Sequence, residues 1–361
     1  MKRLLTSIVA LSVLCLLFAC SDAGYYVQSI TGHFDVMAKA RPIDALVGDP
    51  QTAADERQKL IKVLALRNFA VNELGLPDNG TYRQYADIGR PYVLWNVVAV
   101  PEFSLTPKQW CFPVAGCVSY RGYFDQAEAV ELGSRLESEG YDVNVYGVPA
   151  YSTLNWFDDP VLNTFFTASD NRLAGLLFHE LAHQVVYLAG DSSFNEAFAQ
   201  TVETEGVKRW LQARGTEEDL QSFVDDEAQR AVFQKYLREI RTGLAALYRR
   251  PMAEQEMREA KLDLFEKAKD RYLQLQQAGE LDGSYDAWMK RGINNARLAS
   301  IATYRDLVPG FQAMLEQNQG NFSRFYDEVA TLSRQPEPQR YFQLKGRFQY
   351  EQHARKHPAD E

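Results

Sequence analysis

The sequence is poor in histidine and cysteine and has no excess of positive charge. Its 361 residues include 5 His and 4 Cys, and the formal net charge is −9. A chain this acidic lacks the basic surface that binds nucleic acid, so we expect no nucleic-acid partner. After the first twenty residues, no apolar run approaches the roughly 18 residues that a membrane-spanning helix needs. Internal repeats are also missing, and the 46% hydrophobic content predicts one large domain or two interlocked ones.

The first twenty residues resemble a bacterial lipoprotein signal. Lys2 and Arg3 form a short positive region, residues 4–18 are apolar but too short to span a bilayer stably, and Leu17-Phe-Ala-Cys20 matches a lipobox. We therefore expect cleavage after residue 19 and lipidation of Cys20, which would tether the mature protein to the periplasmic side of the cell envelope. Ser21 favours the outer membrane over the inner one. Loss of the two signal-peptide cations would change the formal net charge from −9 to −11.

The two cysteines that remain close a short loop. Cys111 and Cys117 flank the sequence Phe-Pro-Val-Ala-Gly, and in an oxidising periplasm such a pair is expected to form a disulfide. Metal ligation is the alternative. The spacing is unlike a CxxC site, however, and the chain has no second cysteine pair to complete a tetrahedral set.

The clearest indication of chemistry is the sequence His179-Glu180-Leu-Ala-His183. On a helix the two histidines project from one face, one turn apart, as two ligands of a single metal ion must. Glu180 lies beside them, where it can take a proton from water. With 5 His and 48 acidic residues, the pattern arises by chance in on the order of one per cent of such chains. The alternative is a buried helix with two satisfied histidines.

A zinc hydrolase also needs a third protein ligand, and two glutamates compete for this role. Glu196 and Glu203 follow on a second predicted helix. They are seven residues apart, about 10.5 Å along a helix axis, so one ion cannot bind both. Ser193-x-x-Glu196 is also a capping box, which would explain Glu196 without a metal. Glu203 could be a substrate contact, a partner of a ligand or a solvated carboxylate.

His-Glu-x-x-His followed on a second helix by Asn-Glu-x-x-Ala resembles the gluzincin metallopeptidases, the clan of thermolysin and the aminopeptidase-N-like enzymes. With the lipobox, the cysteine loop and Gly147-Val-Pro-Ala-Tyr-Ser-Thr-Leu-Asn-Trp-Phe157, the motif resembles the putative aminopeptidase family of bacterial lipoproteins. This resemblance implies that one zinc ion is held by His179, His183 and Glu196. It also implies that Glu180 is the catalytic base.

In gluzincins a tyrosine or histidine often stabilises the oxyanion. Here the candidates from the sequence are Tyr123, Tyr151 and Tyr304.

The pattern along the chain predicts an α+β fold that is mostly helical, with a gluzincin-like zinc core, a small β-sheet and a long helical hairpin. Predicted helices cover 51–75, 126–139, 294–304 and 322–333, predicted strands cover 92–100 and 142–153, and the hairpin covers 216–278 with a break at Arg250-Pro251. The second strand is the expected wall of a substrate cleft. We divide the chain into a signal peptide (1–19), an N-terminal α+β region (20–165), a helical zinc-site and support region (166–334) and a polar tail (335–361).

The expected function is zinc-dependent hydrolysis of a peptide or protein substrate by an aminopeptidase of the cell envelope. Two alternatives remain. One is an endopeptidase that acts on envelope proteins. The other is a non-catalytic lipoprotein that keeps a structural metal and binds a partner through the helical hairpin.

Overall fold

The computed structural model describes residues 24–112, 116–153, 156–167, 169–302 and 307–356. The predicted signal peptide, Cys20 and Tyr304 lie outside these residues. Within the described ranges, no helix combines the length and the apolar character needed to cross a membrane.

The N-terminal half mixes helices with short strands. Its elements are α1 (24–38), β1 (Arg41–Pro42), α2 (Ile43–Gly48), α3 (Ala54–Asn72), β2 (Gln84–Ala86), β3 (Leu94–Pro101), β4 (Trp110–Phe112), β5 (Gly116–Val118), β6 (Arg121–Tyr123), α4 (Gln126–Ser138), β7 (Tyr141–Val148) and β8 (Val161–Leu162). β4 and β5 form a small hairpin that is closed by a disulfide between Cys111 and Cys117.

The second half of the described chain is helical. A 3₁₀ turn at Asn163–Thr167 leads into α5 (Asp170–Ala182), α6 (Ser192–Arg214), α7 (Glu217–Leu247), α8 (Glu254–Gln277), α9 (Asp286–Lys290), α10 (Asn295–Ala302), α11 (Val308–Gln317), α12 (Phe322–Ser333) and α13 (Glu337–Lys356). The mostly helical α+β prediction is confirmed. The predicted hairpin is also present, as α7 and α8 on either side of Pro251.

Two segments are helical where the sequence did not indicate it. The first is α1, whose outer face carries the apolar residues Val27, Ile30 and Phe34, so its pattern lacks the polar face of an ordinary surface helix. The second is α13, which occupies much of the segment predicted as a polar tail. Leu344 of α13 is fully buried and anchors it to the rest of the molecule.

The main sheet has the strand order β6-β3-β7 with antiparallel pairing throughout. The central strand β3 is covered on both faces, which explains its continuous apolar sequence. Trp95, Val97 and Ala99 pack with the α4 side, whereas Val98 and Val100 pack with α10. β7 is an outer strand of this sheet, and the chain after it continues towards the helices that carry the site.

The largest hydrophobic core surrounds α5 and α6. Its members come from both sides of position 165, so the N-terminal and zinc-site regions share one core. Phe178 of α5 and Phe198 of α6 are fully buried in it. Gly206 of α6 lets the helices approach closely, since a Cβ there would lie 2.8 Å from the Phe178 ring. The two motif helices are therefore held in the best-packed part of the molecule.

The helical hairpin has its own core and is attached to the sheet by a buried ion pair. Lys261 of α8 lies 2.8 Å from the Asp142 carboxylate of β7, and only 6% of its side chain is exposed. The same ammonium group donates to the Glu102 carbonyl at 2.9 Å. Asp142 also accepts the Asn295 N–H at 2.8 Å. This cluster joins α8, α10 and β7.

We predict that Lys261→Met destabilises the protein by about 3 kcal/mol, because it leaves the Asp142 charge buried without its partner. The matched control is Lys267→Met on the same helix. Its ion pair with Asp263 is exposed (74% and 61% of the two side chains), so its loss should change the free energy of unfolding by less than about 1 kcal/mol. Urea unfolding measures both variants. Equal effects would contradict the role given to the buried pair.

Candidate metal centre

α5 presents both motif histidines on one face. Their ring centroids lie 4.9 Å apart. The helix ends at Ala182, with His183 as its C-cap in helical conformation, several residues before Gly190. Gln184 explains the early end, because its side chain accepts from Asn79 at 2.8 Å and donates to Thr81 at 3.0 Å. His183 is therefore held at the junction between the helix and the following loop.

The start of α6 is fixed by Asp191. Its carboxylate accepts the Phe194 N–H at 3.1 Å and also binds the Arg340 guanidinium (2.5 Å) and the Tyr341 hydroxyl (2.9 Å) of α13. Asp191 is thus the N-cap of the helix. The capping-box explanation for Glu196, with Ser193 as the cap, is wrong, because the helix begins two residues earlier than that alternative requires.

Asn195 closes the loop between the two helices. Its side chain donates to the Leu188 carbonyl and accepts the Leu188 N–H, each at 2.8 Å. The residue is almost completely buried, so these two bonds satisfy its amide where water cannot. The asparagine of the Asn-Glu motif therefore ties the loop back on itself and sets the position of Glu196.

Glu196 faces the two histidines of α5. Its carboxylate oxygens lie 3.2 Å from His179 Nε2 and 3.8 Å from His183 Nε2. One potential ligand atom from each of the three residues falls within 4.8 Å of the others. Two imidazole nitrogens and one carboxylate oxygen form the three-ligand set that catalytic zinc uses, with a fourth position left for water or substrate. The side chains present fit such an ion.

The structure places Glu203 on the other side of His179. Its carboxylate lies 3.0 Å from His179 Nδ1, and Gly175 of α5 makes room for it, since a Cβ there would be 3.1 Å from the Glu203 carboxylate. Glu203 therefore orients His179, as the carboxylate partners of metal-bound histidines do. Of the two competing glutamates, Glu196 is the one grouped with both histidines.

Burial and neighbouring charges shift the pKa values in the site. Burial lowers the pKa of His183 to about 4, so this imidazole is neutral and able to bind a metal. Burial opposes charge on His179 as well, but hydrogen bonds to Glu196 and Glu203 raise its pKa well above the usual value. Burial raises the pKa of Glu180 to about 7, with further contributions from neighbouring carboxylates. A carboxylate with such a pKa suits proton transfer near neutral pH.

A cleft of about 490 Å³ opens onto the candidate ligands. Glu180 lines it together with the end of β7 and the segment after it, including Val148 and Tyr151. The predicted position of this strand beside the site is therefore correct. Tyr120, Tyr146 and Tyr187 line the same cleft.

A second cavity, of about 380 Å³, also reaches His179 and Glu196. Its other walls are mainly aromatic and apolar and belong to the hairpin region. They include Phe233 of α7, Trp288 of α9 and Ile301 of α10. The potential ligands thus lie where a polar cleft and an apolar cavity meet, which gives a substrate room on two sides.

The three tyrosines proposed from the sequence have different positions. Tyr151 lines the cleft, and its hydroxyl is 2.8 Å from His33 Nδ1. Tyr123 is buried in the sheet core, and Tyr304 is outside the described residues.

Sequence reasoning missed Tyr120, Tyr146 and Tyr187. Burial, followed by the charge of Glu196, raises the pKa of Tyr120, so its hydroxyl stays protonated and can donate a hydrogen bond. Aromatic residues in β-regions carry no local mark of such a role, and only the folded chain brings them to the cleft.

The chain was compared with known proteins in three ways. No curated protein and no solved structure matches it. A family model with the description Putative aminopeptidase matches residues 24–344, which covers nearly all of the chain after the signal segment. This range contains both histidines, Glu180, Glu196 and Glu203. The chain belongs to the Putative aminopeptidase family.

Proposed function

We propose that this protein is a zinc-dependent aminopeptidase, lipidated at Cys20 and held at the periplasmic side of the cell envelope. One observation carries the peptidase proposal. His179, His183 and Glu196 place ligand atoms within 4.8 Å of one another, and Glu180 lines the cleft into which they face. The family assignment supports peptide hydrolysis. The lipobox and the cysteine pair support the location outside the cytoplasm.

His179, His183 and Glu196 would hold the zinc ion. The chemistry that zinc supplies at such a site is Lewis acidity, which acidifies water and polarises a carbonyl group. Glu203 contributes by accepting the Nδ1 proton of His179, which leaves Nε2 free to act as a ligand. The Asn195 bridge and the Asp191 cap keep Glu196 at the required place.

Glu180 is the proposed general base and acid. It accepts a proton as water attacks the peptide carbonyl, and it then donates this proton to the departing amine. Its raised pKa, about 7, gives it affinity for the proton without leaving it protonated throughout the physiological range. Tyr120 is the donor that we assign to the developing oxyanion, because it lines the cleft and is close enough to interact electrostatically with both Glu196 and Glu180.

The first prediction concerns the ligands. We expect one zinc per chain in the purified protein and loss of that zinc in Glu196→Gln. Glu203→Gln should bind zinc about 10 to 100 times more weakly, since it removes only the support of His179. Glu205→Gln on the same helix is the control and should behave as the unmutated protein, because Glu205 pairs with Arg209 away from the site. Zinc titration with metal analysis measures all four proteins. Loss of zinc in Glu203→Gln with retention in Glu196→Gln would exchange the two roles.

The second prediction concerns the base. Glu180→Gln should keep its fold and its zinc but lose peptide hydrolysis by a factor of about 10² to 10⁴. Amino-acid amides and short peptides serve as substrates, each tested with a free and with an acetylated amino terminus. Cleavage of the free forms alone supports an aminopeptidase, and equal cleavage of both supports the endopeptidase alternative. Hydrolysis at the unmutated rate in Glu180→Gln would rule out this mechanism.

The third prediction concerns the oxyanion. Tyr120→Phe should lower kcat by about 10² to 10³, with little change in KM or in zinc content, because its hydroxyl would act chiefly in the transition state. Tyr123→Phe is a matched control in the same β-region, since Tyr123 lies in the sheet core. Steady-state kinetics with a peptide amide distinguish the two variants. A Tyr120→Phe enzyme with full kcat would show that another group stabilises the oxyanion.

A further inference from the structure

Helix α1 has two faces with very different surroundings. Its inner face packs on the protein: the Gln28 side chain accepts the Phe124 N–H at 2.9 Å, and Val36 is fully buried. Its outer face carries Val27, Ile30 and Phe34, which are 60%, 55% and 57% exposed. These three residues have the spacing i, i+3, i+7, so they form one stripe along the helix.

A second segment extends this stripe. Trp156 and Phe157 are 70% and 42% exposed, and the Phe157 ring lies 6.4 Å from the Phe34 ring. We call the five residues Val27, Ile30, Phe34, Trp156 and Phe157 the α1 patch. A contiguous exposed surface of aliphatic and aromatic side chains marks a site of contact with a partner or a membrane.

We propose that the α1 patch inserts into the surface of a lipid bilayer. The position of the chain upstream selects this partner. α1 begins at residue 24, only four residues after Cys20, and four extended residues span at most about 14 Å. With Cys20 lipidated, as proposed above, the start of α1 is held within that distance of the bilayer. The lipid surface is then always within reach of the patch, whereas a soluble partner must be captured from solution.

The chemistry of the patch fits the interface of a membrane. Tryptophan and other aromatic side chains favour the boundary between headgroups and acyl chains, and apolar helix faces bury themselves in it. Charge does not supply the attraction. The mature chain is strongly acidic, and the charged residues near the stripe include Asp35 and Lys39, which pair with each other. Binding should therefore depend on apolar insertion and should not require anionic lipids.

The patch is connected to the cleft. His33, which precedes Phe34, contacts the Phe157 ring at 4.5 Å and the Tyr151 hydroxyl at 2.8 Å. Tyr151 lines the cleft that contains Glu180. Insertion of the patch would consequently hold the cleft near the lipid surface.

The experiment uses the mature chain with Cys20→Ser, which carries no lipid, and vesicles of zwitterionic phosphatidylcholine. We expect the protein to sediment with the vesicles and its tryptophan fluorescence to be quenched by bromine-labelled acyl chains. Trp156→Phe should still bind but lose most of the quenching. The pair Ile30→Glu and Phe34→Glu should lower the partition coefficient at least tenfold.

The matched control is the pair Leu262→Glu and Leu273→Glu on α8, where the two leucines are 57% and 53% exposed. This control should bind vesicles as the unmutated chain does, and circular dichroism checks that both pairs fold. Three results would overturn the proposal. The unmutated chain fails to bind vesicles, the α8 control loses binding equally, or sedimentation velocity shows a dimer that the α1 substitutions dissociate. The last result would assign the patch to a second copy of the chain. Vesicle binding needs neither zinc nor hydrolysis, so its failure is distinct from failure of the peptidase proposal.

Discussion

The packing of α5 against α6 is the constraint on which the rest of the structure depends. His179 is buried between two carboxylates of α6, with Glu196 at one ring nitrogen and Glu203 at the other. Polar groups buried in this way are costly unless each has a partner at the correct distance. The two helices must therefore approach closely and in one register, which the glycines at 175 and 206 allow. Phenylalanine packing on the far sides of both helices keeps them there.

The surrounding elements can be understood as means of holding that register. α13 reaches back to the start of α6, where its Arg340 binds Asp191 in a buried ion pair. The β3–β7 pair supplies the wall of the cleft, and the hairpin supplies the apolar cavity on the other side of His179. Lys261 couples these two parts, because it belongs to the hairpin but neutralises Asp142 of β7. A site built from distant segments thus depends on a few buried polar contacts between them.

The sequence predicted features that depend on neighbouring residues and missed those that depend on distant ones. Helical spacing alone placed His179, Glu180 and His183 on one turn, and family resemblance selected Glu196. The choice of Asp191 over Ser193 as the cap required the contact with α13, which lies about 150 residues away. Tyr120 and Tyr146 reach the cleft only through folding of the β-region. α1 was missed for a different reason, since its exposed apolar stripe removes the polar face by which a surface helix is normally detected.

Charge balance gives a reason for a divalent cation at this site that is independent of the motif. Glu180, Glu196, Glu203 and Asp159 are close enough for the other three to affect the proton affinity of Glu180, and His179 is the cation that opposes them there. Like charges held together in a buried site destabilise one another, and a bound divalent ion offsets them. The proton and the metal compete for His179, because its Nε2 must be unprotonated to act as a ligand. Zinc binding would therefore release that proton, and the affinity for zinc should fall as the pH is lowered and His179 is kept charged by its two carboxylate neighbours.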